Sequence, residues 1–338
     1  MEQRKIMSLG RSSLVISLPK HWTQLNELKQ GDVVSIAINR DRSLVVFSGA
    51  KKERETSKIT LHIESDEKEI FVVRSIIACY LNGYSTIKLV SKKFFTVAQQ
   101  KAIRSIVQML YMRIMEADTK EIQIATLIDE SKASIQTGIN RMYKISSSMC
   151  RDAFTALKNQ DAALAKSVFI LDDEVDHFSF FLLRLIRRAA VDSLLANQLA
   201  LESIDCLDYQ TLVHRIEQVA DQAANIAKHL IILGGRRKKV SEPLLEKMCV
   251  AGCDALASYD KAVNTLLSND VKFSDEIIES QVQIEKLDQD IAALAFLKEK
   301  STEVICACCS IRDSIQRIAE YAADIAEITI NRSYKPSF

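Results

Sequence analysis

Apolar and polar positions alternate in three different ways along the chain, and each pattern predicts a different kind of structure. Residues 4–50 show short runs close to period two. Leu14-Val15-Ile16-Ser17-Leu18 is an apolar, β-branched run that Pro19 ends, and Pro19 can open a helical turn through Lys20-His21-Trp22. Gly31-Asp32 makes a turn, after which Val34, Ile36 and Ile38 alternate with Ser35, Ala37 and Asn39 as a strand does. A polar loop, Asn39-Arg40-Asp41-Arg42-Ser43, leads into a returning strand, Leu44-Val45-Val46-Phe47. About fifty residues of sheet cannot bury enough surface alone, so this segment is expected to dimerise.

Residues 51–130 change character. A charged linker, Lys51-Lys52-Glu53-Arg54-Glu55, is followed by a strand (Ile59-Thr60-Leu61-His62-Ile63), a helix over residues 67–81 and Gly83 as the residue beyond its C-cap. A strand over 86–90, a helix over 96–109 and strands over 112–116 and 122–127 complete a small α/β unit. It carries no Gly-rich phosphate loop and no Ser/His/Asp cluster, so its expected role is structural or allosteric.

From residue 131 onward the only glycines and prolines are Gly138, Gly234, Gly235, Gly252, Pro243 and Pro336, which implies long helices. The segment repeats. Ile216-Glu217-Gln218-Val219-Ala220-Asp221-Gln222-Ala223-Ala224-Asn225-Ile226-Ala227 matches Ile315-Gln316-Arg317-Ile318-Ala319-Glu320-Tyr321-Ala322-Ala323-Asp324-Ile325-Ala326, and residues 153–161 match 262–270. The first copy holds extra residues between these blocks, placed around 194–209. Each copy shows three long amphipathic patterns, which predicts two antiparallel three-helix bundles side by side, about 131–235 and 241–332. The expected architecture is therefore multidomain and mainly α: an N-terminal β domain (1–50), a small α/β domain (51–130) and tandem three-helix bundles (131–338).

On a helical wheel, Ile216, Val219, Ala220, Ala223, Ile226, Ala227 and Leu230 fall on one face, and Glu217, Asp221 and Asn225 on the other. The second copy places Asp313, Gln316, Glu320, Asp324 and Glu327 outward in the same way. Like charges at i, i+4 repel by a few tenths of a kcal/mol per pair, roughly. A bound cation would relieve that repulsion, and carboxylate and amide oxygens suit Mg²⁺, Ca²⁺, Mn²⁺ or iron. A second helix could supply further ligands, Asp173, Asp176 and His177 in the first copy, Glu285 and Asp288 in the second. The plain alternative is a solvated acidic face balanced by Arg215, Lys228 and Arg317. Gln316 stands where the first copy has Glu217, and Lys228 would repel a cation, so the two sites are expected to be unequal.

Composition sharpens this picture only in places. The 338-residue chain is too long for one core, and with 48% apolar and 26% charged residues it reads as an ordinary globular protein. The most apolar stretch, residues 178–186, is broken by Ser179 and Arg184, so no membrane span is expected, and the first residues lack the apolar core of a secretory signal. A cytoplasmic location follows as an expectation. The net charge is +1, yet residues 1–50 carry seven Lys and Arg against four Asp and Glu. Eight cysteines without a signal segment read as free thiols, and Cys306 and Cys309, though spaced like half a zinc site, have no second pair and read as small buried hydrophobes.

Two resemblances extend these readings. The strand ending in Ser17-Leu18-Pro19-Lys20, the short helix, then Leu28-Lys29-Gln30-Gly31-Asp32 and the alternating strand resemble the SpoVT/AbrB swapped-hairpin domain. In that family two chains interleave and basic residues on one face bind DNA. By position the resemblance implies Arg4, Lys5, Arg11 and Lys20 as phosphate contacts, doubled in a homodimer. The repeated Ile-Glu-x-Val-Ala-Asp-x-Ala-x-Asn-Ile-Ala motif of the helical segment resembles the hallmark of the PhoU family of phosphate-uptake regulators. That family is built from two tandem three-helix bundles, and its acidic motifs hold surface metal clusters. An AbrB-like head before a PhoU body resembles archaeal members.

The resemblances together imply a non-enzymatic, homodimeric regulator of phosphate homeostasis. Its body would sense metal or phosphate status and bind a phosphate ABC transporter or a signalling partner such as a sensor kinase, while its head contacts DNA and controls transcription. One alternative is a dimeric scaffold that binds a transporter without touching DNA. Another is a metal-dependent hydrolase, for which no nucleophile and base are evident.

Overall fold

The computed structural model describes residues 2–38, 42–49, 57–268 and 270–335. The charged linker 51–55 and residues 39–41 of the polar loop lie outside the described residues. The chain divides into two compact units, residues 1–56 and 57–337.

The first unit is built from two hairpins and one short helix. β1 (Met7–Leu9) pairs antiparallel with β2 (Ser13–Val15) through a turn at Gly10, whose φ of +70° suits glycine. The run 14–18 is thus strand only at its start, and its partner β1 is a strand that the periodicity does not announce. Helix α1 (Lys20–Leu25) starts behind Pro19 at its N-cap. β3 (Val34–Ile38) and β4 (Leu44–Ser48) form the second antiparallel pair, Ile36 opposite Val46. No described residue of this unit is buried. Ile6, Leu9, Leu14, Ile16, Leu25, Val33, Ile36, Ile38 and Leu44 all stay exposed, so the sequence alternates for a core that one chain does not supply.

The second unit opens with β5 (Lys58–His62), α2 (Glu69–Leu81), β6 (Thr86–Val90), α3 (Val97–Met109), β7 (Met112–Ala117) and β8 (Glu121–Thr126). The sheet runs β5-β6-β8-β7, with β5 parallel to β6 and the other pairings antiparallel. Ile87 faces Ile59 on one side and Ile124 on the other. A bulge between Ile114 and Glu116 shifts the register of β7. Thr96 and Gln99 form a capping box at α3, and the buried Gln99 amide also donates to the Glu64 and Glu67 carbonyls, fixing the loop before α2. Gly83 follows the cap of α2 with φ +88°.

A single 3₁₀ turn at Glu130–Lys132 leads into the helical body: α4 (Ile135–Asn159), α5 (Ala162–Val191), α6 (Ser193–Gln198), α7 (Ser203–Gly235), α8 (Glu242–Ser268), α9 (Ser274–Lys298) and α10 (Thr302–Ser333). Helices α4, α5 and α7 make one three-helix bundle and α8, α9 and α10 the other; α7 packs on α10 and α4 on α8. The residues placed inward by periodicity, from Ile216 to Leu230 and from Ile315 to Ala326, are buried and share one continuous core. The extra residues of the first copy are α6 and the turn after it, where the second copy passes from α9 to α10 directly. Gly252 lets α8 approach α4: a Cβ there would meet Phe154 Cε1 at 2.6 Å.

The α/β module is fastened to α5 by a buried cation. Arg184, 2% exposed, puts Nε 2.6 Å from Glu130 Oε1 and donates to the carbonyls of Tyr80, Tyr84 (2.9 Å) and Gly83 (3.2 Å). Its guanidinium lies over the Tyr80 ring at 4.7 Å, and Arg188 pairs with the other oxygen of Glu130. The residue that interrupts the most apolar stretch of the chain is therefore the one that ties two modules together.

Candidate functional site

The helical periodicity of α5 and α7 sets carboxylates at i, i+4 on each, and packing of the two helices brings the pairs together. Asp172 and Asp176 come from α5, Glu217 and Asp221 from α7, with the exposed Asp173 beside them. Burial raises the Glu217 carboxyl to about 7, reinforced by the charges of Asp221, Asp176 and Asp172. Burial and the charges of Asp221, Asp176 and Asp173 raise Asp172 to about 7 as well. Asp176 rises to about 6 through burial and the charges of Asp221 and Asp173. Asp221, at the rim, is raised by the protein packed against its carboxyl. Among the described residues none of these four has an ion-pair partner. Asp172, Asp176 and Glu217 are half-buried and Asp221 is exposed, and burial together with mutual repulsion favours the protonated form of these carboxyls.

Two of the residues expected to join them do not. Asn225 donates its Nδ2 to Ser314 Oγ at 2.9 Å, which commits it to the contact with α10. His177 sets its ring against Tyr111 of the α/β module, centroids 5.5 Å apart. Asp172 is the member that sequence reasoning missed; its spacing to Asp176 equals that from Glu217 to Asp221, and that was the available signal.

In the second copy three of the acids expected to hold a cation are instead paired with arginines within the protein. Asp288 lies 3.0 Å from Arg312 Nε, Asp313 3.1 Å from Arg317 Nε and Asp324 2.7 Å from Arg215 Nε. Gln316 donates to Glu320 Oε1 at 3.0 Å. Glu285 acts on Asp288 only as a repelling charge. These three acids stand at other positions than the first-copy cluster; at the matching positions of the repeat Gln316 replaces Glu217 and Glu320 replaces Asp221, so the two copies differ electrostatically although their backbones repeat.

The donor chemistry of the first copy, hard oxygens with unbalanced charge, suits a divalent cation or iron. Among the described residues, however, no group of three or more His, Cys, Asp or Glu side chains is arranged to hold a metal ion. A cation would have to draw the carboxylates of α5 and α7 together. The eight cysteines are all free thiols; Cys308 is buried as expected, whereas Cys306 is exposed and Cys309 half-buried.

The candidate DNA contacts are all exposed. Arg4 and Lys5 precede β1, with Arg4 paired to Glu2, Arg11 lies in the β1–β2 turn, and Lys20 is the first residue of α1. No described helix is long and apolar enough to cross a membrane.

Tandem three-helix bundles with a repeated acidic helix face define the class of protein. A family model described as the PhoU domain matches residues 139–230 and 252–329, half of the chain, and the chain belongs to the PhoU family. A crystal structure of PhoU from Pseudomonas aeruginosa shares the fold, with TM-score 0.52, 17% identity, and 58% of this chain covered against 93% of that one. The phosphate transport system regulatory protein PhoU from Streptococcus pneumoniae matches with TM-score 0.49, 15% identity and coverage of 59% and 93%. No curated protein matches the chain.

Proposed function

We propose that the chain regulates phosphate uptake, and that the carboxylate cluster of α5 and α7 is the element through which it responds. Membership of the PhoU family supports the first part. The observation that carries the second is the set of four neighbouring carboxylates, three of them half-buried, that have no ion pair among the described residues, beside a second copy in which Gln316 replaces Glu217 and arginines pair with Asp288, Asp313 and Asp324. Asp172, Asp176, Glu217 and Asp221 would hold the cation, whose charge would relieve the repulsion.

What this chain's own residues contribute is a mechanical path. Asp172 and Asp176 sit on the helix that carries His177, Arg184 and Arg188 to the α/β module. A change in repulsion between α5 and α7 acts on α5, and α5 holds the α2–β6 turn through the carbonyls of Tyr80, Gly83 and Tyr84. The proposed partners are a phosphate ABC transporter or a signalling component. The N-terminal unit is proposed as a homodimeric, AbrB-like DNA-binding head that uses Arg4, Lys5, Arg11 and Lys20; its entirely unburied apolar strands support the dimer. A dimeric scaffold that docks on the transporter without DNA is the second reading, favoured by Arg4 being paired with Glu2.

Radiolabelled phosphate uptake in cells lacking the chain tests the proposal. Uptake should lose its dependence on external phosphate and regain it on complementation; uptake that stays normally regulated without the chain would refute it. In parallel, Ala at Arg4, Lys5, Arg11 and Lys20 should abolish salt-sensitive DNA binding, whereas on the scaffold reading the wild type binds no DNA at all.

A further inference from the structure

Three turns meet at one end of the helical body. The α7–α8 loop carries Arg236-Arg237-Lys238-Lys239, all exposed. It is held from two sides: Gln160, in the α4–α5 turn, bonds the Val240 carbonyl (3.2 Å) and amide (2.9 Å), and Glu299, in the α9–α10 turn, accepts from the Ser241 amide at 2.7 Å. Arg236 pairs with Glu303 at the start of α10. Arg237, Lys238 and Lys239 have no ion pair among the described residues; Glu299 keeps its charge beside the Ser241 amide, and Asp161, Glu242 and Glu246 are further exposed acids of these turns and of the first turns of α8. Lys298 and Lys300 flank the neighbouring turn, and Lys158 ends α4, all exposed. In the last turn of α9, immediately before Lys298, Phe296 and Leu297 are 69% and 79% exposed.

We propose that this end of the helical body docks on an anionic phospholipid surface, with the cations of the α7–α8 loop at the headgroups and Phe296 and Leu297 entering the acyl boundary. A cluster of four to eight Lys and Arg is, roughly, what a negatively charged leaflet attracts, and adjacent large apolar side chains supply the insertion that charge alone does not. A nucleic-acid duplex would use the cations but leave Leu297 in water, and one phenyl ring makes no row of stacking platforms. The inference does not rest on the transport reading, because vesicles alone test it.

The test is flotation of the full chain with vesicles of phosphatidylcholine alone and of phosphatidylcholine mixed with phosphatidylglycerol. Binding to the mixed vesicles only, weakened by salt, is expected. Changing Arg237, Lys238 and Lys239 to Ser should weaken it about a hundredfold. Phe296→Ser with Leu297→Ser should weaken it about tenfold at unchanged salt dependence. Both variants should keep the wild-type thermal unfolding profile, and Ala at Arg4, Lys5, Arg11 and Lys20 should leave vesicle binding intact. Equal binding to both vesicles, no binding, or unchanged binding by the loop variant would overturn the proposal. So would loss of duplex DNA binding in the loop variant without any vesicle binding, which would reassign the surface to nucleic acid.

Discussion

Replacing Glu130 by Ala removes the carboxylate that compensates Arg184 while leaving the guanidinium 2% exposed. The arginine keeps its carbonyl partners at Tyr80, Gly83 and Tyr84, so its N–H groups stay largely satisfied. What it loses is its one countercharge among the described residues, at 2.6 Å, and Arg188 loses the same partner. Breaking one side of a buried pair costs about 3–5 kcal/mol, because the remaining charge cannot reach water. The loss falls on the joint between the α/β module and α5 rather than on either core, since the two clusters bury separate sets of residues and meet only at their margins, through Leu81 and Phe180. Urea unfolding followed by circular dichroism measures the total. Fluorescence would not, because the one tryptophan, Trp22, lies in the N-terminal unit. Hydrogen exchange should show amides of α2 and β6 losing protection before those of α7. Pairing Glu130→Ala with Arg184→Met should cost less than the sum of the two, since together they remove the charge as well as its partner. A loss below about 1 kcal/mol for Glu130→Ala, or additive behaviour of the pair, would show that Glu130 does not compensate the Arg184 charge.

Carboxyls held near 6 and 7 by the cluster bind protons more tightly in the folded chain than in the unfolded one, so their contribution to stability is complete below about pH 4 and is lost as pH rises toward 7. Glu217→Gln should therefore stabilise the protein at pH 8 by about 1–2 kcal/mol after allowance for partial exposure, with no gain at pH 4, in denaturation at the two pH values; equal effects would contradict this. Gly252→Ala should destabilise by about 1–3 kcal/mol, because its methyl group would press on Phe154 where α8 meets α4; an unchanged unfolding midpoint would show that the ring can move aside. Sedimentation should find the full chain dimeric and a chain lacking residues 1–56 of lower order, because the exposed apolar strands of that unit need a second copy to cover them.

Helical periodicity made most of the body legible from its residues. The inward faces of α7 and α10, the paired bundles and the position of the inserted segment all follow from spacing at 3.6 residues and from a repeat that sequence comparison within the chain exposes. Gly83 and the βαβα order were equally legible, because a C-terminal glycine and period-two runs are local signals. The site was legible only in part. Glu217 and Asp221 lie on a repeated face, but which residues of α5 oppose them depends on the rotation of α5 about its axis. That rotation placed Asp172 and Asp176 in the cluster and turned His177 toward Tyr111. Long-range ion pairs were not legible at all: Asp324 finds Arg215 in the other bundle, and Glu130 finds Arg184 far along the chain. The strand β1 was missed because three exposed residues give no periodic signal of their own.

The first-copy cluster, and not its second-copy counterpart, is expected to carry the response. Cells lacking the chain can be complemented with Asp172→Asn, Asp176→Asn, Glu217→Gln and Asp221→Asn combined, or with Glu320→Gln and Asp324→Asn combined, each checked for wild-type abundance. Phosphate uptake should then be compared in phosphate-rich and phosphate-starved medium. The first-copy variant should leave uptake indifferent to external phosphate while the second-copy variant restores regulation. Normal regulation by the first-copy variant would contradict it.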